Sequence, residues 1–270
     1  SNDLWVNEGV ILELEAGTVL LNNSGIRYYV YGELKLPGTE EKPIILTTLG
    51  DEEHGQEISA TKVSVWDGVY VYNGGEMKAE YTKFSRLEGT YCSALGYSYF
   101  GIFVQGRAEL SNCEIASVGY EGIGVTGAGS LYLKESTIKA VRNYAVGVNQ
   151  SGGATEITGC ALQGATYGVF VNNSGTASFV LEDTEIAGAT SYGLYLQMQG
   201  TGEFLVRGNR FEKTGNYAVM VNLGGIKTGD ILTKITENTY SGNKVVNGIC
   251  LQGTVTCDLK IPEGTYVSND

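Results

Sequence analysis

Apolar and polar positions alternate with a period of two over short stretches, and one such stretch returns along most of the chain. Its form is a small residue, an aliphatic, a variable residue, a second aliphatic and a polar residue. It reads Gly68-Val-Tyr-Val-Tyr72, Gly101-Ile-Phe-Val-Gln105, Gly122-Ile-Gly-Val-Thr126 and Ala145-Val-Gly-Val-Asn149. It continues as Gly168-Val-Phe-Val-Asn172, Gly193-Leu-Tyr-Leu-Gln197, Ala218-Val-Met-Val-Asn222 and Gly248-Ile-Cys-Leu-Gln252. From the second copy to the seventh the spacing is 21, 23, 23, 25 and 25 residues, and the first and last intervals, 33 and 30, must carry loops. A second element tracks the first: Asn112-Cys-Glu-Ile115, Glu135-Ser-Thr-Ile138, Gly159-Cys-Ala-Leu162, Asp183-Thr-Glu-Ile186, Asn209-Arg-Phe211 and Asn238-Thr-Tyr240. Period-two alternation predicts strands rather than helices. A unit of this length is too short to hold a crossover helix. Stacking each strand on its counterpart one unit later pairs the backbone without one, at a rise of about 4.8 Å per coil.

The expected architecture is therefore all-β: a single-stranded, right-handed parallel β-helix of about ten coils. The aliphatic pairs from Val69/Val71 to Ile249/Leu251 form two inward columns, which suits β-branched residues. At the fifth position Gln105, Thr126, Asn149, Asn172, Gln197, Asn222 and Gln252 are expected to hydrogen-bond to one another along the axis. Phe100, Tyr144, Tyr167, Tyr192 and Tyr217 precede the small residue, with Glu121 interrupting them. Period-two alternation places this column on the aliphatic side, as core or turn packing. The outward third position reads Tyr70, Phe103, Gly124, Gly147, Phe170, Tyr195, Met220 and Cys250. Two aromatic pairs thus flank two glycines, and the surface should dip over roughly 10 Å. Tyr70, Phe103, Phe170 and Tyr195 are the candidate ligand-binding residues, rings able to stack on a sugar. The alternative is that the loop holding Tyr91, Tyr97 and Tyr99 packs over this face.

Charge narrows the partners. Eighteen basic residues against 30 acidic ones give a net charge of −12, which opposes a nucleic-acid partner, since that binding depends on Lys and Arg. No apolar run approaches a membrane span. With 39 Gly but 3 Pro the chain is neither collagen-like nor disordered. Five cysteines (92, 113, 160, 250 and 257) show no metal or redox spacing, and Cys250 and Cys257 form the one plausible disulfide.

The repeats resemble those of the pectate-lyase-like superfamily of parallel β-helices. The opening stretches Glu8-Gly-Val-Ile-Leu-Glu-Leu-Glu-Ala-Gly-Thr18, Tyr31-Gly-Glu-Leu-Lys-Leu36 and Lys42-Pro-Ile-Ile-Leu-Thr47, with Trp66-Asp-Gly-Val69, resemble β-helix modules of large bacterial surface proteins. The resemblance implies one β-helix domain over residues 1–270. Residues 1–66 are opening coils with a polar loop near 50–60, 67–252 the regular repeats, and 253–270 a last coil expected to run on into further sequence. It also implies an extracellular or cell-surface location, a monomer within a larger chain, and a polysaccharide or cell-surface glycan as partner.

Enzymes of that superfamily use a Ca²⁺-assisted Arg or Lys base, or paired carboxylates. The second element's outward positions read Glu114, Thr137, Ala161, Glu185 and Arg210, with no acid pair on neighbouring coils. Glu182, Asp183 and Glu185 are expected to pair with Arg207, Arg210 and Lys213. His54, the single histidine, lacks the companions of a nucleophilic site, and Asp51-Glu52-Glu53 lacks a calcium-loop spacing. No catalytic residue, metal site or cofactor is expected. The sequence points to a non-catalytic adhesin-like or glycan-binding module, with a polysaccharide lyase or hydrolase and a purely structural spacer as the alternatives.

Overall fold

The computed structural model describes residues 3–51, 53–54, 65–93, 98–117, 119, 121–139, 142–222, 233–244, 249–252 and 265–268. Three sheets run along one axis; the first holds twelve strands and the second and third nine each. Among the described residues this makes nine three-stranded coils, and Ile249–Gln252 and Thr265–Ser268 add two strands to the first sheet. Each repeat unit pairs in register with the next. Ile123 sits opposite Val146, Val146 opposite Val169, Val169 opposite Leu194, and Leu194 opposite Val219. The pairing is parallel except at Thr90–Cys92, which runs antiparallel to Ser98–Phe100 and accounts for the long first interval.

The core follows the alternation. Every aliphatic from Val69/Val71 to Val219/Val221 in the first sheet is fully buried, facing Phe84, Ile115, Ile138, Leu162, Ile186 and Phe211 of the third. Each such side chain contributes about 1.5–3 kcal/mol on leaving water. Trp66 is buried at the start of the regular repeats and donates its Nε1–H to the carbonyl of Ser85 at 2.7 Å.

Two corners give the coil its shape. Before the third sheet the chain passes through the left-handed region at Tyr81, Asn112, Glu135, Gly159, Asp183, Gly208 and Glu237. One residue later a column of polar side chains closes this corner across coils. Cys113 N–H donates to Ser136 Oγ at 3.0 Å, Thr184 N–H to Asn209 Oδ1 at 3.0 Å and Asn209 N–H to Asn238 Oδ1 at 2.9 Å.

The other corner lies at the small residue that opens each first-sheet strand. A Cβ at Gly122 would stand 2.7 Å from Ile138 Cγ2, and one at Gly193 2.6 Å from Phe211 Cδ1. The small residue therefore points inward, as does the aliphatic that follows it. Two consecutive inward positions break the period-two alternation, and the preceding Phe or Tyr swings to the outside. This corrects the expectation that the tyrosine column is core: Tyr144, Tyr167, Tyr192 and Tyr217 are only half-buried and belong to the outer face.

Candidate functional site: the outer face of the first sheet

The outward third positions stand in one register column. Trp5 lies opposite Tyr29, then Tyr70, Phe103, Gly124, Gly147, Phe170, Tyr195, Met220 and Cys250. The corner column lies beside it, and together they form a nearly continuous aromatic ribbon. At its start Trp5 stacks on Tyr29 at 4.2 Å, Tyr31 on Tyr72 at 4.1 Å and Tyr70 on Tyr72 at 3.9 Å between ring centroids. Further along, Phe100 lies parallel to Tyr144 at 6.2 Å and Phe170 parallel to Tyr195 at 5.0 Å. Trp5, Tyr29 and Tyr31 are members that repeat spacing did not reveal, because the opening coils carry irregular intervals. Their signal was alternation of tyrosine with a buried valine in Tyr29-Val-Tyr31, as in Tyr70-Val-Tyr72.

The expected sites are brought together, but not as an open notch. The Phe100 ring lies over the two glycines: a Cβ at Gly124 would meet Phe100 Cγ and Cδ2 at 2.7 Å, and one at Gly147 would meet Phe100 Cζ at 3.1 Å. Phe100 and Phe103 are buried as a small outer cluster, with Tyr70, Tyr144 and Phe170 packed against them. The dip between the aromatic pairs is thus filled by Phe100. Of the loop expected as the alternative cover, Tyr91 and Tyr99 remain exposed and touch each other edge-on at 5.3 Å; Tyr97 lies outside the described residues. The faces of Phe170 and Tyr195 are largely spent on each other, so the ladder offers ring edges and hydroxyls, while Trp5, 52% exposed, presents the most ring surface.

At the fifth positions the described hydrogen bonds run to ring hydroxyls rather than from amide to amide. Tyr70 Oη donates to Gln105 Oε1 at 3.0 Å, Tyr195 Oη to Gln197 Oε1 at 3.3 Å, and Asn222 Nδ2 to Tyr195 Oη at 3.3 Å. Ring hydroxyls take the place of the neighbouring amide because the side chains two residues apart lie together on one face. Side-chain amides bond along the axis elsewhere: buried Asn173 Oδ1 accepts the Gln150 backbone N–H at 3.2 Å, and Asn209 Nδ2 donates to Asn238 Oδ1 at 3.0 Å.

Glu121, which interrupts the aromatic run of the corner column, is 1% exposed. Its carboxylate accepts the Tyr99 N–H at 3.0 Å and Asn143 Nδ2 at 2.9 Å. It anchors the antiparallel arm to the coil. Burial raises the hydroxyl pKa of Tyr144 and Tyr167, aided by the charge of Tyr167 on the first and of Tyr192 on the second.

Charge is carried elsewhere. On the second sheet Lys78 bridges Glu33 and Glu76, each at 3.2 Å. These two carboxylates face each other on neighbouring coils, a pair hidden from sequence by the 43 residues that separate them. Desolvation pushes Glu33 upward, but hydrogen bonds from Lys78 and Lys35 outweigh it and hold the group low. That opposes the raised pKa a general acid needs. Arg207 meets Glu182 at 2.6 Å on the second sheet and Arg210 meets Glu185 at 3.7 Å on the third, as expected. Asp51 closes its own turn, accepting from Thr47 Oγ1 at 2.7 Å and the Glu53 N–H at 3.1 Å. His54 stands 3.8 Å from Glu53. Among the described residues no group of three or more His, Cys, Asp or Glu could hold a metal ion. Cys250 carries a free thiol, and its expected partner Cys257 lies outside the described residues.

Among solved structures the chain is similar to a mutant of the periplasmic alginate epimerase AlgG, with 13% identity and a TM-score of 0.45, covering 93% of this chain and 69% of that one. No curated protein matches the sequence. The family model described as a right handed beta helix region matches residues 67–229 and 100–263. Those matches span well over half of the chain, and with three in-register parallel sheets beneath them the chain belongs to the right-handed β-helix family.

Proposed function

We propose that this chain is a non-catalytic, extracellular or cell-surface β-helix module that binds glycan on the outer face of its first sheet, in an adhesin-like role. The observation that carries this reading is the composition of that face. Ring edges alternate with amides and phenol hydroxyls over successive coils, whereas ion pairs cover the other two sheets. Sugars present C–H patches and hydroxyls in the same alternation, so apolar edges and neutral hydrogen-bonding groups are the chemistry that recognises them. Tyr70, Phe103, Phe170 and Tyr195 enter the proposal as part of this ribbon, with Trp5 as its most exposed ring. The salt-bridged state of Glu33 and Glu76 speaks against the hydrolase alternative.

The test is a glycan array probed with the intact chain, with turnover followed by reducing-end and unsaturated-product assays. Binding without product, lost on joint replacement of Trp5 and Tyr195 by Ala while circular dichroism is unchanged, is the expected result. Product formation would make it an enzyme, and absence of binding across the array would leave the spacer reading.

A further inference from the structure

Resting on that reading, we infer that the first-sheet face selects uncharged glycan chains and discriminates against polyuronates. The argument is a segregation of charge. From Tyr70 to Asn222 the third and fifth positions, the two that face outward on each first-sheet strand, hold aromatic residues, Gly, Met, amides and one Thr, without a single ionisable acid or base other than tyrosine. The 30 acidic and 18 basic residues of the chain lie off these positions. In the corner column the acids are engaged: Glu121 is buried and has both carboxylate oxygens bonded, and Asp67, before Gly68, is ion-paired. Arg27, at the start of the face, is tied to Asp67 at 2.6 Å.

A uronate chain brings one carboxylate per sugar. Binding it requires cations or a bridging metal to offset the loss of water around each charge, and this face supplies amides instead. The chain's net charge of −12 adds long-range repulsion of a polyanion, strongest at low salt. For a neutral chain the same face is complementary. Gln105 and Gln197 have their oxygens engaged by tyrosine, which leaves their Nε2 groups to donate, and Asn172 makes no side-chain hydrogen bond among the described residues. Asn172 and Gln197 stand opposite each other on adjacent coils, at a rise of about 4.8 Å close to the advance of one pyranose in an extended chain. A glycan lying along the axis would meet amide donors at two successive sugars there.

Methyl-esterified homogalacturonan and its enzymatically de-esterified form make the decisive probe, because they share a backbone and differ in charge. A β-glucan, a mannan and a xylan complete the set, titrated by affinity electrophoresis and calorimetry at low and high salt. The inference predicts binding to at least one neutral polymer, and affinity for the esterified chain about tenfold above the de-esterified one (about 1.4 kcal/mol), with the ratio falling as salt is added. Asn172→Lys, which adds a cation to the face, should shift preference toward the de-esterified chain and narrow the ratio of the two affinities to about threefold or less, about 0.6 kcal/mol. Equal or tighter binding of the de-esterified chain by the parent protein would overturn the inference while leaving the glycan-binding reading intact. Failure of every polymer to bind would remove that reading and the inference with it.

Discussion

If Phe100 fills the dip over the glycines, Gly124→Ala should be harmful in the parent protein and helpful once Phe100 is gone. In the parent the new methyl would stand 2.7 Å from Phe100 Cγ and Cδ2, about 1 Å inside a normal carbon contact of about 3.5–4.0 Å. The ring cannot easily retreat, being fully buried between Phe103 at 6.3 Å and Tyr144 at 6.2 Å. Overpacking of this kind costs about 2 kcal/mol. Phe100→Ala alone removes a buried ring and should cost about 3 kcal/mol. In that background the clash vanishes, and Ala is favoured over Gly within a strand by about 0.5–1 kcal/mol. The same methyl thus changes sign, and the coupling between the two sites comes to about 2.5–3 kcal/mol, the upper range for residues in contact. Urea denaturation of the four proteins, followed in parallel by circular dichroism and tyrosine fluorescence, measures it. Coincident transitions are needed, because stacked repeats unfold cooperatively only while neighbouring coils remain coupled. Additivity within about 0.5 kcal/mol would show that Phe100 does not occupy the space above Gly124.

Two further predictions concern the corners and the thiols. Asn209→Ala deprives the Thr184 N–H of its acceptor at 3.0 Å and the Leu181 carbonyl of its donor at 2.8 Å. At about 1–3 kcal/mol for each buried group left unpaired, denaturation should show a loss of about 3 kcal/mol; a loss no larger than that of Asn172→Ala on the outer row would contradict the axial ladder. Burial pushes the Cys113 thiol from 9.0 up to about 12 and that of Cys160 up to about 11. Both stay neutral in the folded chain while the unfolded chain ionises, so their stabilising share is complete below pH 9 and is lost as pH rises toward 11–12. In the folded protein Cys113 and Cys160 should resist a disulfide reagent at pH 8, read by mass spectrometry of their peptides, and the melt should come at lower temperature at pH 10.5 than at pH 8; rapid labelling of either cysteine, or an unchanged melt, would refute the burial of these thiols.

The parallel coil was readable because its signal repeats. Val146, Val169 and Leu194 occupy equivalent places in a recurring word, and in-register stacking follows once each word is a strand. The outer face was harder. The word also carries a small residue, and sequence does not say that Gly122 or Ala145 points inward against Ile138 or its counterpart, turning two successive side chains to the same side. That single break reversed the placement of Phe100 and the tyrosines, and with it the expectation of an empty notch. Amide bonding was anticipated in kind but not in place, since Asn172 and Asn173 differ only in which face they take. The Glu33–Glu76 pair lay in coils whose irregular length hid their register.

Hydrogen–deuterium exchange of the intact chain with and without the best-binding neutral oligosaccharide tests the central claim most directly. The account predicts slowed exchange in the first-sheet strands, from Gly68–Val71 through Tyr192–Met198, with the second-sheet strands Glu76–Glu80 and Ser178–Glu182 and the third-sheet strand Glu185–Ala187 unchanged. Protection confined to the ion-paired second or third sheet would place the glycan on a charged face and contradict it.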